Sequence, residues 1–330
     1  VHGIPGFEVD GEQVVTRRPL KNTDALLIAH DTFGLRPTSA KRLETERDDT
    51  FALSTLQGRF VLKVAHPADD PAEIDFQTRA LEHARAADTT LPMQRILPAR
   101  DGQLAPVLAD HDSRIARLFD WLPGDELLES SPDEAQLALL GDALGRLTLA
   151  LAGFEHPDST RPFAWDLAQF PRLAVVLEMF PHDDLREVFR RFDDIVAPRL
   201  AELPRQVIHN DFNPGNVLVD PSDPAFVTGI LDFGDAIPTI RIADVAVALC
   251  YQLHPFHRDW ASVQPFLAAY EKRVALTVAE HHVLTTLVAC RFAQRVLINE
   301  WLSQFDDDRG RDEEFRAGVR SALGRLLKEN

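Results

Sequence analysis

The residues best suited to chemistry lie between Val207 and Asp235, in the stretch VIHNDFNPGNVLVDPSDPAFVTGILDFGD. Asp211 and Asn216 stand five positions apart, the spacing at which phosphoryl-transfer loops set a base and a metal ligand. Asp232 opens an Asp-Phe-Gly, whose carboxylate can supply a second oxygen ligand. Mg²⁺ is a hard cation that takes carboxylate, amide and phosphate oxygens, so Asn216 and Asp232 are the candidate metal pair. Asp211 is the candidate catalytic residue, accepting or orienting a hydroxyl proton. The intervening VLVD and FVTGIL are β-branched and apolar, and read as two short buried strands joined by the turn PSDP. That hairpin would carry Asn216 to Asp232. Each piece alone is ordinary, since an Asp-Phe-Gly arises by chance and a buried Asn or Asp is commonly a satisfied turn residue. Their order and spacing together are what point to chemistry.

The elements upstream must position these groups. Residues 1–21 show no clear periodicity and are assigned no role. Asn22 or Thr23 could cap a short helix, TDALLIAHDTFG, that Gly34 stops. TSAKRLE, FALSTLQG and RFVLKVAH then read as an antiparallel meander with Gly58 in its second turn. The loop from Glu44 to Thr50, where phosphates would lie, has no glycine, and Glu44, Glu46, Asp48 and Asp49 would repel phosphate unless turned away. Lys63 sits on the third strand, where a buried ammonium must find an anion. It either reaches solvent at the strand edge or grips nucleotide phosphates, and the downstream motifs favour the second. A helix follows, PAEIDFQTRALEHARAA, with Ile74, Leu81 and Ala84 on one stripe. Arg114 to Phe119 then runs as an apolar strand into Asp120-Trp121-Leu122-Pro123-Gly124. This turn lies between the two chemical blocks, so backbone groups of Asp120 and Leu122 could pair with a purine; an ordinary strand-to-helix turn is the alternative.

Beyond Ser131 the pattern is mostly helical, beginning at a capping sequence of Ser131, Pro132 and Glu134. Trp165 reads equally as core or as a wall for substrate. Asp244, at the start of the buried helix ADVAVALCYQL, reads as a loop brace. Arg291 and Arg295 stand one turn apart on an otherwise apolar helix. They either form salt bridges at the surface or clamp a substrate carboxylate, which guanidinium binds bidentately.

HNDFNPGN, ILDFGD and ADVAVALCYQL together resemble the aminoglycoside phosphotransferase and choline kinase superfamily, whose loop reads H-G-D-x-x-x-x-N. Within it they are most similar to the hydroxylysine kinase branch, over about Thr38 to Trp301. The resemblance implies an α+β, bilobal protein-kinase-like fold. A small antiparallel-sheet lobe over residues 1–120 would bind nucleotide, and a mostly helical lobe over 121–330 would hold the catalytic and acceptor sites. It implies transfer of a phosphoryl group from ATP or GTP, with Mg²⁺, to a hydroxyl of a small amine-bearing molecule. Hydroxylysine is the first candidate; homoserine, choline, ethanolamine, aminosugars and aminoglycosides remain open. Asn210 replaces the common Gly and Asn213 the common His. Gln77 stands where a glutamate commonly orients the lysine, with Glu73 one turn earlier as a substitute. Gln77 and the glycine-free loop favour a rival reading, a nucleotide-binding pseudokinase scaffold; the complete set Asp211, Asn216 and Asp232 counts against it. A protein kinase is disfavoured because no A-P-E segment follows LDFGD.

Composition bounds the partners. A formal net charge of −17 over 330 residues argues against a nucleic-acid groove or an anionic membrane surface. It suits a cationic small molecule, though acidity also serves solubility. Hydrophobic content of 45% and charged content of 26% are ordinary for a soluble domain. Cys250 and Cys290, the two cysteines, lie in apolar helical patterns as small buried hydrophobes. No apolar run approaches the roughly 18 residues of a membrane span, and no signal-peptide pattern opens the chain. A cytoplasmic location is expected, and oligomeric state is not legible.

Overall fold

Residues 37–64 carry short apolar runs separated by a polar loop and a Gly-containing turn, and such a chain satisfies its backbone by pairing with itself. In the structure, a computed structural model that describes residues 3–7, 18–45, 47–157, 161–305 and 313–329, the outcome is the expected meander. Its strands are β1 (Pro37–Leu43), β2 (Asp49–Thr55) and β3 (Gly58–Val64). Gly58 takes φ +141° in the second turn, where a side chain would be strained. Helix α1 (Asn22–Asp31) precedes them, its Ala25, Ile28 and Ala29 packing with Phe51, Leu53 and Leu62. Asn22 and Thr23 are inside that helix rather than capping it. The Asp24 carboxylate accepts the Lys21 N–H at 2.8 Å instead, as an acid in the first turn can.

After α2 (Pro71–Ala87) come the short strands β4 (Ile96–Leu97) and β5 (Val107–Leu108) and the long β6 (Arg114–Asp120). They complete a six-stranded sheet in the order β1-β2-β3-β6-β4, with β5 pairing β6. Register sets Lys63 opposite Thr50 on β2 and opposite Arg117 on β6. Past β6 the chain turns at Gly124, φ +114°, where an added Cβ would stand 2.2 Å from Thr228 Oγ1 and 2.9 Å from the Val219 carbonyl. Only glycine can be seated that tightly.

The remainder is mostly helical. β7 (Asp125–Glu126) pairs with β9 (Val217–Val219), which forms the expected hairpin with β10 (Val227–Ile230); β8 (Arg205–Ile208) pairs with β11 (Ile237–Ile240). The helices are α3 (Glu134–Ala150), α4 (Ala174–Met179), α5 (Asp183–Arg191), α6 (Ile242–Leu253), α7 (Gln264–Arg273), α8 (Val278–Ser303) and α9 (Glu313–Glu329). Asp133, not Ser131, caps α3: its carboxylate accepts the Gln136 N–H at 2.9 Å while Gln136 Oε1 accepts the Asp133 N–H at 3.0 Å. Carboxylate and amide reach back at that spacing as a Ser-Glu pair would. Every residue of α6 except Tyr251 is buried, so this helix is the spine of the lobe. Cys250 and Cys290 are free and buried. Among the described residues no helix is long and apolar enough to cross a membrane.

Candidate active site

β8 delivers the segment His209–Asn216 to the floor of a cleft. Asn210 takes φ +64°, a left-handed backbone that Asn accepts better than most residues, so it can stand where the superfamily commonly has Gly. Asp244 of α6 accepts the His209 N–H at 3.2 Å and the Asn210 N–H at 2.7 Å, which makes it the brace its position suggested. Burial pushes the Asp244 carboxyl above its usual range, against the opposing pull of His209 and of these two N–H groups. His209 Nε2 donates to the Leu231 carbonyl at 2.9 Å, leaving Nδ1 to accept the Asp211 N–H at 3.3 Å.

Asn216 Nδ2 donates to Asp211 Oδ2 at 2.6 Å and to the Asp211 carbonyl at 3.1 Å. On the other side Arg291 Nη2 lies 3.5 Å from Asp211 Oδ1. The Leu231 N–H donates to the Asn216 carbonyl at 2.8 Å, so Asn216 and Asp232 are held close by backbone as well as by the hairpin. Asp232, at φ +58°, accepts the Gly234 N–H at 3.0 Å and pairs with Lys63 Nζ at 2.8 Å. Burial would raise the Asp232 carboxyl; the Lys63 ammonium, the Gly234 N–H and Arg117 outweigh it and hold the group well below the usual carboxylate range.

Neither residue expected to orient Lys63 touches it. Gln77 Oε1 accepts from Arg117 Nη1 at 3.1 Å, and its Nε2 donates to the Gly234 carbonyl at 3.1 Å. Glu73 pairs with Arg161 at 2.6 Å, and Arg161 also donates to the Gly234 carbonyl at 3.0 Å. Other partners take all three groups: Gln77 spends its amide on Arg117 and Gly234, Glu73 pairs with Arg161, and Lys63 pairs with Asp232. At the turn after β6, the Asp120 N–H already donates to the Arg95 carbonyl at 3.0 Å, and the Asp120 carbonyl lies 3.4 Å from Gln94 Nε2. Leu122 follows with no backbone hydrogen bond among the described residues. In the glycine-free loop, Asp49 is turned away and buried against Arg42 and Arg114, the latter at 2.7 Å. Glu44 is exposed, Asp48 lines the cleft, and Glu46 lies outside the described residues.

A cavity of about 490 Å³ opens over Asp211 and Asn216. Besides Lys63, Arg117 and Asp232, its lining includes Arg161, Trp165, Asp235, Tyr251 and Arg291. The Trp165 ring lies 4.4 Å from the Arg291 guanidinium and its carbonyl accepts from Arg291 Nη1 at 3.2 Å, so Trp165 is both a wall and a seat for the arginine. Burial, then the nearby charge of Asp211, pushes the Asp235 carboxyl up to about 8. Arg295 does not join this cavity. It is buried beside His254, donating to that carbonyl at 3.3 Å, with its guanidinium 4.4 Å from the Tyr251 ring and 5.2 Å from Phe315. One helical turn, about 5.4 Å, carries it past the cleft to the end of α6. The two arginines therefore do not form one clamp. Arg117, Arg161, Asp235 and Tyr251 escaped the sequence reading. Arg117 alone had a usable signal, a cation in an apolar strand like Lys63.

A sheet lobe and a helical lobe enclosing Asp211, Asn216 and Asp232 define a bilobal, kinase-like α+β fold. The chain belongs to the phosphotransferase enzyme family, whose profile matches residues 39–282. It is 28% identical over 287 residues to hydroxylysine kinase of Danio rerio, covering 81% of this chain and 79% of that one. It is 29% identical over 278 residues to homoserine kinase of Acidiphilium cryptum (strain JF-5), covering 80% and 81%. The structure of a microcompartment-associated aminopropanol kinase superposes with a TM-score of 0.72 at 21% identity, over 93% of this chain and 98% of that one.

Proposed function

We propose that this phosphotransferase moves the γ-phosphate of ATP or GTP to a hydroxyl of a small amine-bearing molecule, with hydroxylysine the first candidate. The observation that carries the reading is the setting of Asp211. One carboxylate oxygen is held by Asn216 at 2.6 Å, and the other faces the cavity beside Arg291 at 3.5 Å. A carboxylate fixed in that way can take or aim the hydroxyl proton. Lys63 holds nucleotide phosphates, and the Asp120 carbonyl and Leu122 N–H meet the purine. The lobes divide at residues 120 and 121.

The donor set fits a divalent cation. Asn216 spends its Nδ2 on Asp211, which leaves its Oδ1 without a protein partner among the described residues, and Asp232 adds a carboxylate. No cluster of three or more His, Cys, Asp or Glu among the described residues could hold a metal alone, so phosphate oxygens complete the shell. Mg²⁺ held by Asn216 and Asp232 would neutralise charge developing on the transferred group.

The acceptor's ammonium is matched by Asp211, and its carboxylate by Arg161, whose side chain is 20% exposed. Homoserine is a second reading, favoured by the 29% identity to a homoserine kinase. Both are amino acids, whereas choline, ethanolamine and aminoglycosides lack the carboxylate. A pseudokinase scaffold would release no ADP with any acceptor. A coupled ADP-release assay with ATP and with GTP across these acceptors tests the proposal. Release only with choline or kanamycin would overturn the amino-acid assignment, and release with none would overturn the enzyme reading.

A further inference from the structure

Lys63 and Arg117 are directly opposite in the antiparallel β3–β6 pair, so their side chains leave the sheet on one face, and both line the cleft. Like charges opposite one another are destabilising, and an arginine that is only 9% exposed is costly without an anion. The surroundings do not supply one. Among the described residues Arg117 forms no ion pair, and its hydrogen-bond partner is the neutral Gln77 at 3.1 Å. The carboxylates whose charge it feels are Asp232, engaged by Lys63 at 2.8 Å, and Asp48 in the loop above. Glu73, which the same helix carries one turn before Gln77, is taken by Arg161 at 2.6 Å. Gln77 is itself fixed in orientation: its Nε2 donates to the Gly234 carbonyl at 3.1 Å, which turns the amide oxygen toward the guanidinium.

We propose that Arg117 is a second cation for the phosphate chain of the nucleotide, and that Gln77 aims it without neutralising it. The inference rests on the nucleotide-dependent reading given above and assigns a residue that the Lys63 role does not cover. A glutamate at position 77 would form a bidentate ion pair with Arg117 and cancel the charge the phosphates need. Glutamine keeps the same reach and supplies only the orienting acceptor. The departure from the superfamily's common glutamate thus has a physical partner 40 residues away. The cleft would meet a polyanion with two cations from adjacent strands.

Calorimetry on the whole chain tests this with Mg·ATP, using adenosine as the phosphate-free control. Arg117→Met should weaken Mg·ATP binding about tenfold or more, the usual result of losing a charged hydrogen-bonded contact. Adenosine affinity should not move, and Arg117→Lys should recover part of the loss. Gln77→Glu should weaken Mg·ATP by a comparable factor although the arginine is still present. Wild-type Mg·ATP affinity in Arg117→Met overturns the proposal, as does an equal loss for ATP and adenosine. Should Arg117→Met fail to fold, Gln77→Glu decides, and unchanged Mg·ATP affinity there overturns it. A wild-type chain that binds neither ligand removes the nucleotide reading and this proposal with it. One that binds both while the variants stay indifferent removes this proposal alone.

Discussion

On the strand side of the cleft, Arg117 forms no ion pair among the described residues and hydrogen-bonds a neutral amide, and Lys63 is held by a carboxylate that a metal would claim. On the helical side each guanidinium already has its acid, Arg291 with Asp211 and Arg161 with Glu73. The contrast separates two uses of a cation. A matched one stiffens whatever it pairs with, while an unmatched one is left for a ligand; Arg161, paired but still 20% exposed, stands between the two. The strand side is therefore suited to a polyanion. The helical side, with Asp211 on its wall beside Arg161, is suited to an acceptor that carries both charges.

Removing the Asp211 carboxylate while leaving the strand side intact should have the largest effect. Asp211→Asn is expected to lower kcat by roughly 10²–10⁴, with Mg·ATP affinity by calorimetry unchanged. Turnover within a factor of about two of wild type would take Asp211 out of the role. Asp232→Ala attacks the link between the two sides. It should weaken Mg²⁺-dependent nucleotide binding by about 10²-fold, the upper end of what a ligand's supporting partners contribute, while the chain still melts cooperatively. Equal Mg·ATP affinity in the variant would remove the metal assignment.

The two arginines of α8 sharpen the comparison further. Arg291→Met strips Asp211 of its cation and should lower kcat by about tenfold, whereas Arg295→Met should leave kcat near wild type. A similar fall in both would mean that neither acts through Asp211. On the acceptor side, hydroxylysine should show a KM about tenfold below that of its decarboxylated analogue, and Arg161→Met should erase the difference. Equal KM values in the wild type would show that no carboxylate is read.

The smallest effect is on stability. Asp235 titrates from 3.8 unfolded to about 8 folded, so between those pH values the folded chain holds the extra proton. The group therefore removes stability as pH rises through that window. In EDTA, Asp235→Asn should raise Tm by several °C at pH 8.5 and by nothing at pH 4. A flat difference across pH would refute the assignment.

The parts legible in the sequence are those whose partners are near along the chain or fixed by one element. Asp211, Asn216 and Asp232 meet across a single hairpin, and the β1–β3 meander follows from local apolar runs and the turns between them. The bonds that were not legible join distant segments. Arg161 and Glu73 are 88 residues apart, and Gln77 and Arg117 are 40 apart. Nothing in helical phase distinguishes Arg291 from Arg295 either. Both fall on the buried side of α8, and only the element crossing beneath, the end of α6, decides which one reaches the cleft. The caps lie a residue or two from the expected Asn22 or Thr23 and Ser131, because Lys21 stands at the N-cap of α1 with Asp24 reaching back to it, and Asp133 caps α3.

Asp244 has a mechanical consequence. By receiving the amides of His209 and Asn210 it bolts the His209–Asn216 loop to α6, and His209 bolts that loop in turn to Leu231. Loop, Asp-Phe-Gly segment and helix therefore share one frame and cannot shift independently. Gly124 is wedged against the β9–β10 hairpin of the same frame, and Met93 bridges to Ile230 of that hairpin, so two of the segments that lead from the sheet to the helices are anchored on it. Hydrogen exchange should then find the His209 and Asn210 amides opening only together with α6, and exchange of those two ahead of the helix would break the rigid-frame picture.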